Sequence, residues 1–277
     1  MISAIADFLG MIIRLIYNGT NGNYFISIVL FTILTKLILL PLYISQIKST
    51  EEINKIGPLA KKIQEKYKND QRKQSEELAK IYAEHKVNPV AGCLPMLIQI
   101  PLVFAMFYIV KQPLTYVLNM PYEQVENYTK EYLEKDKVTN NEVKANEILI
   151  ANEYDLINMK VTNNFDLGDV PANVFSKDDN KKASPVALVI PILSIVLSVI
   201  SIKISQLNSN MTEEQKEMQK SMNIMMPLLS ASISYSMPLA LGIYWLLGSV
   251  FGIIQQLVTK KIVKRDEELL KLNKGGV

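Results

Sequence analysis

A single cation lies inside a long apolar run near the start of the chain. The stretch FTILTKLILLPL at 31–42 contains Lys36 as its only charged residue. A charge at the centre of a bilayer costs at least about 2.5 kcal/mol, and an apolar protein core also disfavours an unpaired charge. The chemistry open to such an ammonium group is electrostatic, because it attracts a polar or acidic partner more strongly in a low dielectric than in water. We therefore take Lys36 as the first candidate functional residue.

Long apolar segments of the chain must form the structural elements that position Lys36. The chain has 277 residues, of which 49% are hydrophobic. A transmembrane helix needs about 20 apolar residues. We therefore predict an all-α polytopic membrane protein. Its five transmembrane helices are predicted at 24–47, 89–110, 185–206, 222–237 and 239–258. Lys36 lies twelve residues after Tyr24, which is roughly 18 Å into the membrane and close to its midplane.

The segments between these blocks complete the predicted organisation. Residues 1–18 carry apolar residues at helical spacing and do not resemble a signal peptide, so we predict an interfacial amphipathic helix, with an uncleaved short anchor as the alternative. Residues 48–88 show two apolar stripes separated by a turn at Asn69–Asp70, which predicts a charged helical hairpin. The remaining predicted segments are the loop 111–184, the connection 207–221 and the tail 259–277.

The positions of basic residues predict the orientation. Segment 48–88 has ten Lys and Arg against seven acidic residues, and 259–277 has six against three, whereas 111–184 has nine against thirteen. Basic loops remain in the cytosol. We therefore place the hairpin, the 207–221 connection and the C-terminus in the cytosol. The N-terminus and the 111–184 loop are then outside the cell.

Other polar and aromatic residues in the predicted spans are candidates for contact with Lys36 or with a ligand. The blocks contain no acidic residue, so Lys36 lacks an ion-pair partner, and an unpaired charge at this depth implies a hydrated cavity. Thr32 shares its helix face one turn away. Gln99 lies at mid-depth in 89–110. Trp245 and Gln256 lie on one face of the last block, where Trp245 alone would also suit a membrane-interface position.

Small residues and methionines form two further patterns. Ser194, Ser198, Ser201 and Ser205 lie on one helical stripe, and a G-x-x-x-G motif occupies 248–252. Both favour close helix packing, with a polar surface as the alternative for the serines. A methionine stripe leads into the fourth predicted span from the cytosolic side and suits variable apolar partners, unless it fills gaps in a core. It comprises Met211, Met218, Met222 and Met225.

The sequence contains no recognisable cofactor-binding motif. We find no phosphate-binding loop, nucleophile elbow or zinc motif. The chain has one cysteine and one histidine, which excludes a Cys/His metal cluster. The dipeptides Ser184–Pro185 and Asn88–Pro89 are instead typical of helix N-termini. We therefore predict no cofactor and no metal.

Three stretches resemble the YidC family of membrane protein insertases. They are SIVLFTILTKLILLPLYISQIKST, HKVNPVAGCLPMLIQIPLVFAMFY and LGIYWLLGSVFGIIQQ, and NFDLG at 164–168 resembles a short family stretch before the third span. The match covers roughly 20–112 and 160–260 and resembles the form found in Gram-positive bacteria, without a large periplasmic domain. Two departures are the lysine at 36, where the family usually has arginine, and a longer outer loop.

The resemblance implies a function and a site. It implies an insertase and chaperone, not an enzyme, that inserts integral membrane proteins through a cytosol-open hydrophilic groove. It implies nascent membrane proteins as substrates, the Sec translocon and the ribosome as further partners, membrane lipids around a monomer, and a multi-pass protein of the bacterial plasma membrane. The groove residues that the resemblance implies are Lys36, Gln99 and Trp245. To these we add Thr32 and Gln256, which share helix faces with Lys36 and Trp245. We place Met218, Met222 and Met225 of the methionine stripe at the groove entrance.

Two alternatives remain from the residues alone. A small-solute transporter or channel could use Lys36 as an anion site, and without the resemblance this is the favoured hypothesis. Such a protein usually shows internal repeats, and we find none. A purely structural membrane scaffold is the other alternative, but it leaves Lys36 unexplained.

Overall fold

The computed structural model describes residues 2–85, 87, 94–136, 147–177, 182–206 and 213–274. Side chains are described within these ranges except at 2–3, 94–99, 135–136, 205–206, 213–219, 222, 260 and 263–274. The α-helices are α1 (Ile2–Gly19), α2 (Tyr24–Ile38), α3 (Leu40–Lys66), α4 (Gln71–Glu84), α5 (Leu94–Lys111), α6 (Pro113–Tyr116), α7 (Tyr122–Asp136), α8 (Glu147–Glu153), α9 (Val189–Gln206), α10 (Glu213–Ser236) and α11 (Leu239–Lys274). Strands β1 (Lys160–Thr162) and β2 (Phe165–Asp166) pair antiparallel, and 3-10 helices cover Pro171–Phe175 and Pro185–Leu188.

The helix that carries Lys36 bends soon after it. The sequence predicts one span at 24–47, but α2 ends at Ile38 and α3 begins at Leu40 at an angle of 52° to it. Pro41 has no N–H, so the carbonyl of Leu37 loses its helical donor at this point. Leu39 keeps helical dihedral angles between the two helices. Helix α3 then continues without interruption into the predicted hairpin.

The hairpin follows the sequence prediction. Helices α3 and α4 pack against each other, with Ile56 and Ala60 of α3 buried. The turn ends at Asp70, whose side chain accepts the N–H of Lys73 at 3.0 Å and caps α4. His85 ends α4, and its Nδ1 lies 2.9 Å from the carbonyl oxygen of Ile81.

A folded cap is built from 111–136 and 147–177 at the end of the bundle where α11 begins. The first N–H groups of a helix have no partner within it. Here Leu239 N–H donates to Asp169 O at 2.8 Å, and Ala240 N–H donates to Leu167 O at 2.9 Å. The carbonyls belong to the stretch after β1 and β2. The cap therefore holds the start of α11 in place.

Contacts with this cap give the directions in which the other long helices run. Asn23, which begins α2, bridges to Asn158 of the cap. Ser184, next to the start of the 3-10 helix that precedes α9, donates its N–H to the Asp169 carboxylate at 3.3 Å. Its side chain accepts the N–H of Val186, as the Ser184–Pro185 pair predicts. Helices α2, α9 and α11 thus run away from the cap, whereas α5 and α10 run towards it. The paired Asn88–Pro89 prediction lies outside the described residues.

The hydrophobic core lies at the cap end of the bundle. It joins α1, the cap and the near ends of the longer helices. Its fully buried members include Ile13 of α1, Phe31 of α2, Met106 of α5, Ile150 of α8 and Leu239 of α11. On α2 the buried apolar residues end at Phe31, five residues before Lys36. The core therefore closes one end of the bundle and stops short of the cation.

Several described helices are long and apolar enough to cross a membrane. By length and composition these are Pro185–Ile204 and Leu239–Thr259, and the bent pair α2–α3 counts as a third if it forms one span. Ile100–Lys111 is a shorter apolar helix. The predicted fourth span at 222–237 overlaps α10, which begins earlier at Glu213 and ends at Ser236. Helix α11 continues past the predicted end at 258 to Lys274. Among the described residues, the structure thus supports a mostly helical membrane protein with two or three such spans.

Candidate functional site between α2 and α11

The Lys36 side chain lies against the surface of α11. If Gly248 carried a Cβ, that atom would lie 3.6 Å from Lys36 Cε and 3.7 Å from Lys36 Nζ. Lys36 is half-buried. Within the described residues, it takes part in no ion pair, and none of the predicted spans contains an acidic residue. In the described part of the chain, the ammonium group therefore lies against α11 without a compensating carboxylate.

Two weaker contacts join α11 to both sides of the bend after Lys36. Gln255 Nε2 donates to the carbonyl oxygen of Lys36 at 3.4 Å, and the hydroxyl of Tyr43 donates to Gly252 O at 3.5 Å. The bend leaves carbonyl groups at the end of α2 without their usual helical donors. The side chain of Gln255 satisfies one of them. Helix α11 thus supports both the helix that carries Lys36 and the start of α3.

Trp245 is fixed to α10 by a short hydrogen bond. Its Nε1 donates to the hydroxyl oxygen of Ser230 at 2.7 Å. Ser230 is 1% exposed, whereas Trp245 is half-buried. Trp245 and Gly248 lie three residues apart on α11, about one turn, and therefore share a face of that helix. The backbone positions of Trp245 and of Gly248, against which Lys36 lies, are therefore roughly 4.5 Å apart along the axis of α11.

Gln256 lies further from the cap on the same helix. Its Nε2 donates to the hydroxyl oxygen of Ser201 on α9 at 3.3 Å. Its Oε1 is buried and has no hydrogen-bond partner within the described residues. Gln256 therefore joins α11 to α9 and, in the part of the chain that the structure describes, still has a free acceptor.

Thr32 is the most enclosed of the predicted site residues whose side chains are described. It is fully buried, and its hydroxyl donates to the carbonyl of Ile28 at 2.7 Å, which keeps the donor within α2. Gln99 lies in α5 and Met218 and Met222 lie in α10, but their side chains are outside the described part of the chain. Met225 of α10 is 50% exposed. The structure thus places the Lys36 side chain of α2 against α11, the helix that carries Trp245. The placement of the methionines at an entrance stays a prediction.

Ser194, the first serine of the stripe on α9, lies in a packing contact with α10. Ser194 accepts a hydrogen bond from the hydroxyl of Ser234 on α10 at 3.0 Å, and both residues are fully buried. The two glycines of the G-x-x-x-G motif differ in their surroundings. Gly248 faces the lysine, and a Cβ on Gly252 would meet no described atom within 4 Å.

Comparison with known proteins gives the family. The model of the 60Kd inner membrane protein family matches residues 15–267. The chain belongs to the 60Kd inner membrane protein family. As a member of this family with long apolar helices, it is a multi-pass protein of a bacterial membrane.

Curated relatives of this 60Kd family member carry the name Membrane protein insertase YidC. The protein from Clostridium perfringens (strain 13 / Type A) is 45% identical over 100 residues, which are 36% of this chain and 42% of the relative. The protein from Fusobacterium nucleatum subsp. nucleatum is 43% identical over 112 residues, 39% of this chain and 55% of the relative. The protein from Clostridium tetani is 41% identical over 110 residues, which are 39% of this chain and 50% of the relative. The chain spans about half the length of these relatives.

Three residues of the site were not selected from the sequence. Ser230, Gly248 and Gln255 supply the partner of Trp245, the surface against Lys36 and the donor at the bend. A serine, a glycine or a glutamine in an apolar helix is common, so residue type alone gave no signal. The spacing of Gly248 from Trp245, one turn along a helix, was the one pattern that could have pointed to it.

Proposed function

We propose that this chain is a membrane protein insertase and chaperone. It inserts integral membrane proteins and helps them fold, alone or with the Sec translocon. The observation that carries the proposal is that Lys36 is half-buried, lies against Gly248 just beyond the end of the core, and has no ion-pair partner among the described residues. The similarity to proteins named Membrane protein insertase YidC supports the same function.

The proposed groove opens on the side of Lys36 away from the cap. Five helical passes, the bent α2–α3 pair with α5, α9, α10 and α11, surround it. A charge without a counter-ion at mid-membrane depth needs water around it, so the groove is hydrated. At the cap end, buried residues such as Tyr24, Ile28 and Phe31 leave no room for water beside α2. The groove is therefore open to the cytosol and closed at the other end.

The proposed mechanism is electrostatic and makes or breaks no covalent bond. A polar or acidic part of an incoming protein leaves water and rests at Lys36, where attraction in a lower dielectric offsets part of its desolvation cost. Its apolar segment then moves sideways into lipid. Gln99 and Gln256 supply further polar groups, whereas Thr32 is enclosed and its hydroxyl bonds within α2. The protein therefore acts without being an enzyme.

A small-solute transporter fits the packing less well. A transporter needs a pathway that opens to each side of the membrane in turn. The core at the cap end unites α1, the cap and four longer helices, so opening there would expose many buried apolar residues. A groove closed permanently at that end is sufficient for insertion.

Orientation and partners follow from charge. We propose that the cap and N-terminus lie outside the cell and that the α3–α4 hairpin and the C-terminal part of α11 lie in the cytosol, because both carry an excess of basic residues. Lipid headgroups and ribosomal RNA are the anionic surfaces that this basic end could meet. We propose that the protein works as a monomer.

Site-specific crosslinking tests the proposal. A photoreactive residue is placed at 36, 99 or 245, and a ribosome-stalled membrane protein is presented in membranes. We expect crosslinks from all three positions to the apolar segment and its polar flank, and none from Ile13 in the cap-end core. Crosslinks from Ile13 equal to those from 36 would contradict the proposed groove.

A further inference from the structure

The indole N–H of Trp245 is already used inside the protein. It donates to the Ser230 hydroxyl at 2.7 Å, and Ser230 is 1% exposed. Tryptophan has one polar hydrogen and no acceptor. The half-buried remainder of this side chain therefore presents only carbon and C–H groups.

We infer that Trp245 gives a substrate an apolar ring surface and no hydrogen-bond donor, and that Ser230 is the positioning residue that fixes this ring. The inference rests on the proposed function, because the occupant is the transmembrane segment of an incoming membrane protein. It deepens that function by dividing the site into two chemically different parts. Lys36 meets a polar or acidic group, and Trp245 meets a large apolar side chain.

The spacing of the two parts defines the segment that fits. Lys36 lies over Gly248, one turn of α11 from Trp245. Side chains three or four residues apart on a helix also lie one turn apart. The site therefore suits a helical segment in which an acidic or polar residue is followed or preceded, three or four positions away, by a large apolar one.

The role of Ser230 follows from its burial. Without its hydroxyl, the indole N–H has no acceptor on α10 and turns towards the water near Lys36, because an unsatisfied donor is costly in an apolar place. The ring surface is then no longer in a fixed place. Ser234 lies one turn further along α10 and is equally buried, but its hydroxyl bonds Ser194 and not the indole. It provides a matched control.

A double-mutant cycle tests the inference in proteoliposomes with a membrane-protein substrate. Trp245→Phe keeps a ring without N–H, whereas Trp245→Gln keeps a donor without a ring. We expect both to lower insertion, with the Phe variant about threefold to tenfold more active than the Gln variant, and Ser230→Ala alone to lower it by about threefold to tenfold. Adding Ser230→Ala to Trp245→Phe should have no further effect. Equal activity of the Phe and Gln variants, or an undiminished effect of Ser230→Ala in the Trp245→Phe background, would overturn it.

Fluorescence gives a second readout that does not depend on insertion. Trp245 is the only tryptophan of the chain, so the emission of the purified protein reports on this ring alone. We expect Ser230→Ala to shift the emission to longer wavelength and to increase quenching by acrylamide, Ser230→Thr to restore both, and Ser234→Ala to leave both unchanged. Unchanged emission in Ser230→Ala would overturn the positioning role. If the fluorescence changes occur as expected while the wild-type protein inserts no substrate, that result supports the positioning role of Ser230 and contradicts only the proposed function.

Discussion

Lys36 and Gly248 face each other across the contact between α2 and α11. The lysine Nζ lies 3.7 Å from the place where a Cβ on Gly248 would stand. Glycine at this position therefore leaves the ammonium group room to lie along α11 and to meet a ligand. Any larger polar group on this side of α11 would compete with that ligand.

A carboxylate at position 248 should form an ion pair with Lys36 and neutralise its charge. In Gly248→Asp the new acid lies within ion-pair distance of Lys36, where an attraction of about 4 kcal/mol is expected for an effective dielectric constant near 20. We expect insertion to fall about as far as in Lys36→Ala. The matched control is Gly252→Asp, one turn further along α11, where a Cβ would meet no described atom within 4 Å. A smaller effect at 248 than at 252, measured with the same substrate in proteoliposomes, would contradict this role of Lys36.

The α3–α4 hairpin should be needed for insertion but tolerant of changes in its surface charge. Its exposed residues form weak ion pairs, such as Arg72–Glu76 at 3.4 Å, and such pairs contribute little to stability. We expect deletion of 52–84 to abolish insertion without loss of membrane integration. The exchange Arg72→Glu with Glu76→Arg should leave insertion unchanged. Full activity of the deletion variant would show that the hairpin does not capture substrate.

The buried Glu147 should make the stability of the cap depend on pH. Its carboxylate accepts the N–H and the hydroxyl of Thr115 at 2.8 and 2.5 Å. Burial nevertheless raises the pKa of Glu147 above its usual value, and the bonds from Thr115 only partly oppose this. A raised pKa in the folded state means that stability is greatest below the usual glutamate pKa and declines as the pH rises through the folded value.

Glu147→Gln tests this dependence. We expect the glutamine variant to lack the decline, so that its melting temperature relative to the wild type is higher at pH 8 than at pH 4. Glu123→Gln of α7 serves as the control for the loss of an exposed carboxylate. The measurement is thermal unfolding in detergent across this pH range. A constant difference between Glu147→Gln and the wild type would contradict the assignment.

The sequence predicted the chemistry of the site better than its geometry. Lys36 was recognisable because a charge in an apolar run is costly wherever it lies. Trp245 and Gln256 were recognisable as polar or aromatic groups on one helix face. Their partners Ser230 and Ser201 depend on how three helices are rotated about their axes. That rotation is set by packing across the bundle and cannot be derived from the period of one helix.

The bend and the cap differ in how far they could be predicted. Pro41 is visible in the run LLPL, and a proline in a helix interior removes a hydrogen bond, so a break near Leu39 could have been expected. The loop 111–184 showed a helical pattern only around Tyr122, and its strands are two or three residues long. Its folding depends on contacts with α1 and the start of α11, which are distant in sequence.

The central claim is that an unpaired cation at Lys36 serves insertion, and variants of this residue test it most directly. A bacterium depleted of its own insertase receives the wild-type chain, Lys36→Arg, Lys36→Ala or Lys36→Glu, and growth and insertion of a reporter membrane protein are measured. Arginine keeps the charge, whereas alanine removes it and glutamate reverses it. We predict that the arginine variant supports insertion, that the alanine variant is impaired and that the glutamate variant is impaired most. Full growth and insertion with Lys36→Glu would contradict the account.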